Sequence, residues 1–199
     1  MPRKPLTEEE KAVVREKAAV AARRILDEHG AEKVTIRAIA KEVGMSAMSL
    51  YTYFENKAEI IVYLQVQAVD ELAAELASAG ASEAAPEQVV AALGRAYAAF
   101  AEERSDEFSL AFRSEERDGS MADAVRERVS KALRPLRDAV AASLKEARSS
   151  DEIERVVTGI WSGWHGYALL KQAGCVNGTS PRFDVRTAAA TFAAPVAAH

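Results

Sequence analysis

The stretch Thr35–Lys57, TIRAIAKEVGMSAMSLYTYFENK, decides the fold of this chain. Thr35 reads as a helix N-cap, because its hydroxyl accepts a bond from an N–H that the helix leaves unpaired. Ile36, Ile39, Ala40 and Val43 then recur at helical spacing and make one apolar stripe. Gly44 follows at once and supplies the left-handed residue that ends a helix without a Cβ clash. Ser46 caps again, and the pattern predicts a second helix over about Ala47–Phe54. Two short amphipathic helices joined by a tight, glycine-containing turn are the pattern of a helix-turn-helix.

The second helix resolves by angle, at about 100° per residue. Leu50 and Phe54 lie one turn apart and face inward, Met48 and Thr52 lie opposite, and Ser49 and Tyr51 flank them. A short outer face of Met, Ser, Thr and Tyr suits a DNA major groove, where hydroxyls bond base edges and a methionine meets a thymine methyl. The plainer alternative is a packed hairpin with a solvated outer face. Asn56 and Glu59 form a capping box that opens a long helix. Lys57 then sits at the first helical position, where the helix dipole disfavours a cation. A bound phosphate reverses that sign, because backbone N–H groups and the lysine then face an anion together.

The run Thr35, Ile39–Ala40, Val43–Gly44, Ser46, Leu50–Tyr51, Tyr53–Phe54 and Lys57 resembles the N-terminal DNA-binding domain of the tetracycline-repressor (TetR) family, over about the first sixty residues. The resemblance implies a homodimeric, ligand-responsive bacterial transcription regulator. The DNA-binding candidates are Thr35, Ser46, Ala47, Met48, Ser49, Tyr51, Thr52, Tyr53 and Lys57. By the helical geometry Met48, Ser49 and Thr52 face bases, while Tyr51, Tyr53 and Lys57 hold phosphates. At Met48 the family often has a small residue, so no operator sequence is read from the match. The tripeptide Trp164–His165–Gly166 also resembles the signature of one class of C-terminal domain in TetR-like regulators.

Composition points the same way. The 199 residues allow one domain or two small ones, with 49% apolar and 28% charged residues, enough to bury a core. Alanine is abundant and no period-two stretch reads as a strand, so the fold class expected is all-α. The single cysteine, Cys175, excludes an internal disulfide and fits a reducing cytosol. The first residues lack the apolar core of a signal peptide, and no apolar run approaches the ~20 residues of a membrane span. A cytoplasmic protein with no membrane partner, associated with the nucleoid when bound to DNA, is expected. Residues 1–60 carry eleven Lys/Arg against ten Asp/Glu, and the remainder fifteen against twenty. The acidity therefore lies outside the candidate DNA reader, yet that reader is barely basic, so affinity must come from a few placed contacts doubled by dimerisation.

Along the chain, Met1–Leu6 reads as a flexible tail, with Arg3 and Lys4 as minor-groove candidates if it lies along DNA. A Thr7–Glu10 capping box opens a helix to about Glu28 with Val14, Ala18, Ala21, Ile25 and Leu26 inward, closed by Gly30. From Lys57 a helix to about Ser78 carries Ile61, Leu64, Ala68, Leu72 and Leu76 on one stripe and is a candidate lever. Pro86 suits the start of the next helix. Arg113–Ser120 reads as a loop, Met121–Arg148 as a helix kinked or split at Pro135, Ser150–Ala173 as a glycine-bearing helix, and Val185–Ala194 as the last. The expected division is a DNA-binding domain over residues 1–56 and a regulatory, dimerising domain over 57–199.

In the regulatory part, Tyr97, Phe100, Phe108, Phe112, Trp161, Trp164 and His165 are the candidates for an effector pocket, with Arg104 and Arg113 as further polar groups. Gly159, Gly163 and Gly166 share a helix side, cost helix stability relative to alanine, and so call for the close approach of a second helix. With Leu170 they are the candidate dimer interface. His29, His165, His199 and Cys175 have no metal-ligand spacing, and there is no phosphate loop or nucleophile elbow. No enzyme, metal or cofactor is expected, and His165 beside two tryptophans reads as a core or interface residue. The function expected is a regulator, in the repressor sense, that binds a palindromic double-stranded operator as a homodimer and is released by a small, mostly apolar effector. The alternative is a helical small-molecule-binding protein with no DNA role.

Overall fold

Helix α1 (Glu8–His29) starts where the sequence places its cap: Thr7 accepts from the Glu10 N–H at 3.2 Å, and the Glu10 carboxylate accepts from the Thr7 N–H at 2.8 Å. It ends at Gly30, whose φ of 79° only glycine adopts freely. Its inner face is alanine-rich, with Ala18, Ala19, Ala21, Ala22 and Ile25 buried. Helix α2 (Ile36–Glu42) is capped by Thr35, and its stripe of Ile36, Ile39 and Ala40 is buried. It closes in a Schellman arrangement. The Gly44 N–H reaches Lys41 O at 3.3 Å, the Met45 N–H reaches Ala40 O at 2.8 Å, and Gly44 has φ 70°. Helix α3 (Ala47–Leu50), capped by Ser46, is shorter than the sequence pattern predicts. Beyond Leu50 the bonds tighten to a three-residue step, Thr52 N–H to Ser49 O at 3.2 Å and Tyr53 N–H to Leu50 O at 3.0 Å. The Thr52 hydroxyl also bonds Ser49 O, at 2.7 Å, and competes locally with the α pattern.

The computed structural model describes residues 7–113, 119–144, 149–178 and 182–192. Within them the secondary structure is helical, with no strand. The expected arm Met1–Leu6, the tail with Pro195 and His199, and parts of the expected segments 113–120, 121–148, 174–184 and 185–194 lie outside the described residues. The remaining helices are α4 (Lys57–Ala81), α5 (Pro86–Glu103), α6 (Ser105–Ala111), α7 (Gly119–Ala132), α8 (Arg134–Ser143), α9 (Ser150–Gln172) and α10 (Val185–Phe192). The helix expected over 121–148 is split at Leu133, because Pro135 removes a helical hydrogen bond and starts α8 instead.

The chain forms two compact units, Met1–Gln67 with Leu110–Val125, and Ala68–Ser109 with Arg126–His199. The division falls inside α4, whereas residue 56, the boundary expected from the sequence, is where that helix begins. In the first unit, Ile36, Ile39, Leu50, Phe54, Ile60, Ile61, Leu64 and Leu110 join the alanines of α1 in one core. In the second, α5 packs on α8 and α9, and α10 packs on α9 and α8. Leu93, Tyr97, Leu136, Val140, Val156, Ile160, Trp164 and Val185 fill the space between them.

Candidate nucleic-acid interface

The outward face of α3 matches the angular reading. Leu50 and Phe54 are wholly buried, while Met48 is 78% and Tyr51 52% exposed. Ser49, Thr52, Thr35 and Ser46 are exposed, Ala47 is half-buried, and Tyr53 leans on the core. Two helices of this length owe their placement to the core beneath them, not to their own propensity. The buried pair Leu50 and Phe54 thus sets which way Met48, Ser49 and Thr52 point.

At the start of α4 the Glu59 N–H bonds Asn56 Oδ1 at 2.9 Å, as the cap predicts. The return bond differs from the expected box: Glu59 Oε2 accepts from the Glu55 N–H at 2.7 Å, one residue earlier. The other carboxylate oxygen accepts from Arg15 Nη2 at 2.6 Å. Arg15 went unnoticed in the sequence, since nothing local links it to a residue forty-four positions on.

In the second unit several of the pocket candidates do meet, as a packed cluster. Tyr97, Phe100, Phe108 and Trp164 are buried, and Trp161 and His165 are half-buried. Trp161 Nε1–H donates to the Tyr97 oxygen at 3.1 Å, and that oxygen lies 2.8 Å from His165 Nδ1. Burial pushes the Tyr97 phenol above the ordinary tyrosine range and holds His165 below the ordinary histidine value of 6.5. Phe108 stacks 5.3 Å from the His165 ring and edge-on to Tyr97 at 5.6 Å. Trp164 lies over Gly94 of α5, where an added Cβ would come within 2.8 Å of the indole nitrogen. Phe112 and Arg113 fall in the first unit, where the Arg113 carbonyl accepts from Gln65 at 2.9 Å. Arg104 pairs with Glu71 at 2.8 Å and stacks on Phe100 at 5.3 Å.

Two of the three glycines of α9 are met by side chains of the same chain. The space at Gly163 is taken by the ring of Phe183 and that at Gly159 by the ring of Phe192, both of the same chain. Gly166 has nothing within 4 Å, and Leu169 and Leu170 beside it are 49% and 48% exposed. An open surface groove of about 670 Å³ is lined by Arg155, Gly159, Ser162, Gly163, Phe183 and Phe192.

Comparison with known proteins places these features. Residues 19–64 match the family described as bacterial regulatory proteins, tetR family, and residues 90–195 match the tetracyclin repressor-like C-terminal domain. This chain belongs to the TetR family. Its fold is shared by solved regulators of low identity. A TetR-family transcription regulator from Marinobacter aquaeolei is 16% identical, with 94% of this chain and 96% of that chain covered and a TM-score of 0.61. A TetR/AcrR-family regulator from Thermobifida fusca is 15% identical over 91% and 94%, at 0.61. The fatty acid degradation regulator FadR from Bacillus halodurans is 14% identical over 96% and 95%, at 0.62. No curated protein sequence matches the chain. As a TetR-family protein it is a ligand-responsive, DNA-binding transcription regulator and not an enzyme. The histidine among the tryptophans is thus not catalytic, and the reading without a DNA role is set aside. No helix among the described residues is long and apolar enough to cross a membrane.

Proposed function

We propose that this TetR-family regulator is a homodimeric repressor that binds a palindromic operator and is released by a small, mostly apolar effector. The observation that carries the DNA half is the outward face of α3, with Met48 and Tyr51 exposed directly beside the buried Leu50 and Phe54. Met48, Ser49 and Thr52 read base edges; Tyr51, Tyr53 and Lys57 hold phosphates, with Thr35, Ser46 and Ala47 against the backbone. The DNA-binding domain is residues 1–56, and residues 57–199 regulate and dimerise. Selection of bound duplexes from the source genome gives the operator. With it in hand, Lys57→Ala is expected to weaken all sequences about equally and lower the salt slope by about one. Substitution of Met48 or Thr52 is expected to change sequence preference instead. An unchanged slope in Lys57→Ala removes the phosphate role.

The effector reading is supported by Tyr97, Trp161 and His165, three polar-tipped rings hydrogen-bonded inside an apolar cluster with Phe108 and Trp164. Such a combination of apolar walls and few placed polar groups is typical of small-molecule sites. Titrating apolar compounds against the fluorescence of Trp161 and Trp164, with and without operator, tests it. An effector must prefer one state, typically by 5–150-fold. A compound that binds free and operator-bound protein equally is not the effector.

The dimer seam proposed runs along α9 and α10, with Gly166 and Leu170 open on it and Gly159 and Gly163 lying beneath the rings of Phe192 and Phe183. Support comes from the open space at Gly166 and the exposure of Leu169 and Leu170.

A further inference from the structure

Two neighbouring residues of α1 grip one stripe of α4. The guanidinium of Arg15 lies 4.6 Å from the centroid of Phe54 and 5.3 Å from that of Tyr63. Those two rings meet edge to face at 5.8 Å. From this stacked position Arg15 Nη2 donates to Glu59 Oε1 at 2.6 Å. The other oxygen of Glu59 holds the Glu55 N–H at 2.7 Å, and its own N–H is held by Asn56 at 2.9 Å. Glu16 continues the grip: its Oε2 accepts from Tyr63 Oη at 3.3 Å and from Gln67 Nε2 at 2.6 Å. Glu59, Tyr63 and Gln67 are spaced four apart and form one face of α4.

The consequence lies in the segment between. Residues 51–56 lead from the end of α3 to the start of α4 outside α-helix, so their path is set by what holds Phe54 and the first turn of α4. Arg15 touches both, stacking on Phe54 at one end and pairing with Glu59 at the other. Only a planar, forked cation does both at once; a lysine ammonium keeps the charge but neither the stacked plane nor the fork. A phosphate site at a helix N-terminus works only if the N–H groups and the lysine aim at the same anion.

We propose that Arg15 is a positioning residue for DNA recognition: without reaching the DNA, it sets the angle at which the chain turns from α3 into α4 and so aims Tyr53 and Lys57 at the phosphates. This rests on the reading that Lys57 holds a phosphate.

The experiment uses the full chain and a fluorescent duplex of the operator recovered by selection, titrated across a salt series at a temperature where circular dichroism shows every variant folded. Arg15→Met is expected to bind about tenfold more weakly, the size of a strongly coupled contact, with the salt slope lower by about one. In a Lys57→Ala background it is expected to remove no further slope. Arg15→Lys is expected to behave like Arg15→Met, since charge alone does not position the segment. Glu59→Gln keeps an acceptor for the Glu55 N–H and loses the ion pair, and is expected to fall between the parent and Arg15→Met. Four results overturn the proposal: full binding by Arg15→Met; full binding by Arg15→Lys, which marks a simple charge contact; slope losses that add to those of Lys57→Ala, which mark a direct phosphate contact; or Glu59→Gln binding as tightly as the parent. If Lys57→Ala alone leaves the slope unchanged, the phosphate role of Lys57 fails separately. The equal tenfold loss in both Arg15 variants then decides the positioning role by itself.

Discussion

Single residues already carry testable chemistry. Trp161 Nε1–H can only donate, so the chain of bonds through the Tyr97 oxygen to His165 Nδ1 suits a neutral imidazole that accepts there. Burial agrees, since it holds the His165 value below the ordinary 6.5. The unfolded chain therefore binds the proton more readily than the fold does. The stability contributed by the neutral ring is present in full above about pH 6.5 and is lost as pH falls below it toward the lower folded value. The urea midpoint is thus expected to drop more between about pH 7 and 5 in the parent than in His165→Phe. Equal drops in the two proteins count against the neutral, bonded histidine. Gly44 offers a simpler case. Its φ of 70° strains any residue with a Cβ, although nothing stands within 4 Å of that position. Gly44→Ala is expected to cost about 1–2 kcal/mol from backbone strain alone, read as a lower melting temperature.

Among the helices, α9 shows how a sequence signal keeps its meaning while changing its partner. Helical glycines imply close approach, and close approach is found, but the groups that enter are the rings of Phe183 and Phe192 and not a helix backbone. Phe183 in turn stands edge-on to Trp164 at 6.5 Å, so Gly163 supports the same cluster that holds Tyr97 and His165. Gly163→Ala is expected to destabilise by about 1–3 kcal/mol through overpacking, and Phe183→Leu in the same chain is expected to recover part of the loss. Chemical denaturation of the two single variants and the double variant gives the coupling. Strict additivity means that the ring is not what the glycine accommodates.

For the whole molecule the question is assembly. A bulky residue at Gly163 disturbs the fold of one chain before it disturbs a dimer, so the informative substitution lies where the α9 face is open. Leu170 is half-exposed beside Gly166 and has no such intrachain burden. In an isologous interface each substitution occurs twice on the same patch. Leu170→Glu is therefore expected to yield folded monomers in sedimentation velocity at micromolar concentration. It is also expected to lose most operator affinity, because a palindrome read by two heads about 34–36 Å apart needs both of them. A variant that stays dimeric moves the seam elsewhere.

What the sequence determined is local. Thr7, Thr35, Ser46 and Ser149 cap because their hydroxyls reach an N–H three residues on, and Gly30 and Gly44 end helices by their own backbone freedom. Periodicity then chose the inward side of α2 and α3, so Leu50 and Phe54 inside with Met48 outside were legible before any fold was known. Tertiary structure decided what covers each inward side. Arg15 with Glu59, and Tyr97 with Trp161 and His165, are pairings across forty-four to sixty-eight residues. A helical stripe states that a face is buried but carries no address for its partner. For the same reason the stripes of the second half did not say which of its aromatics meet, and folding brought Tyr97, Phe108, Trp161, Trp164 and His165 together.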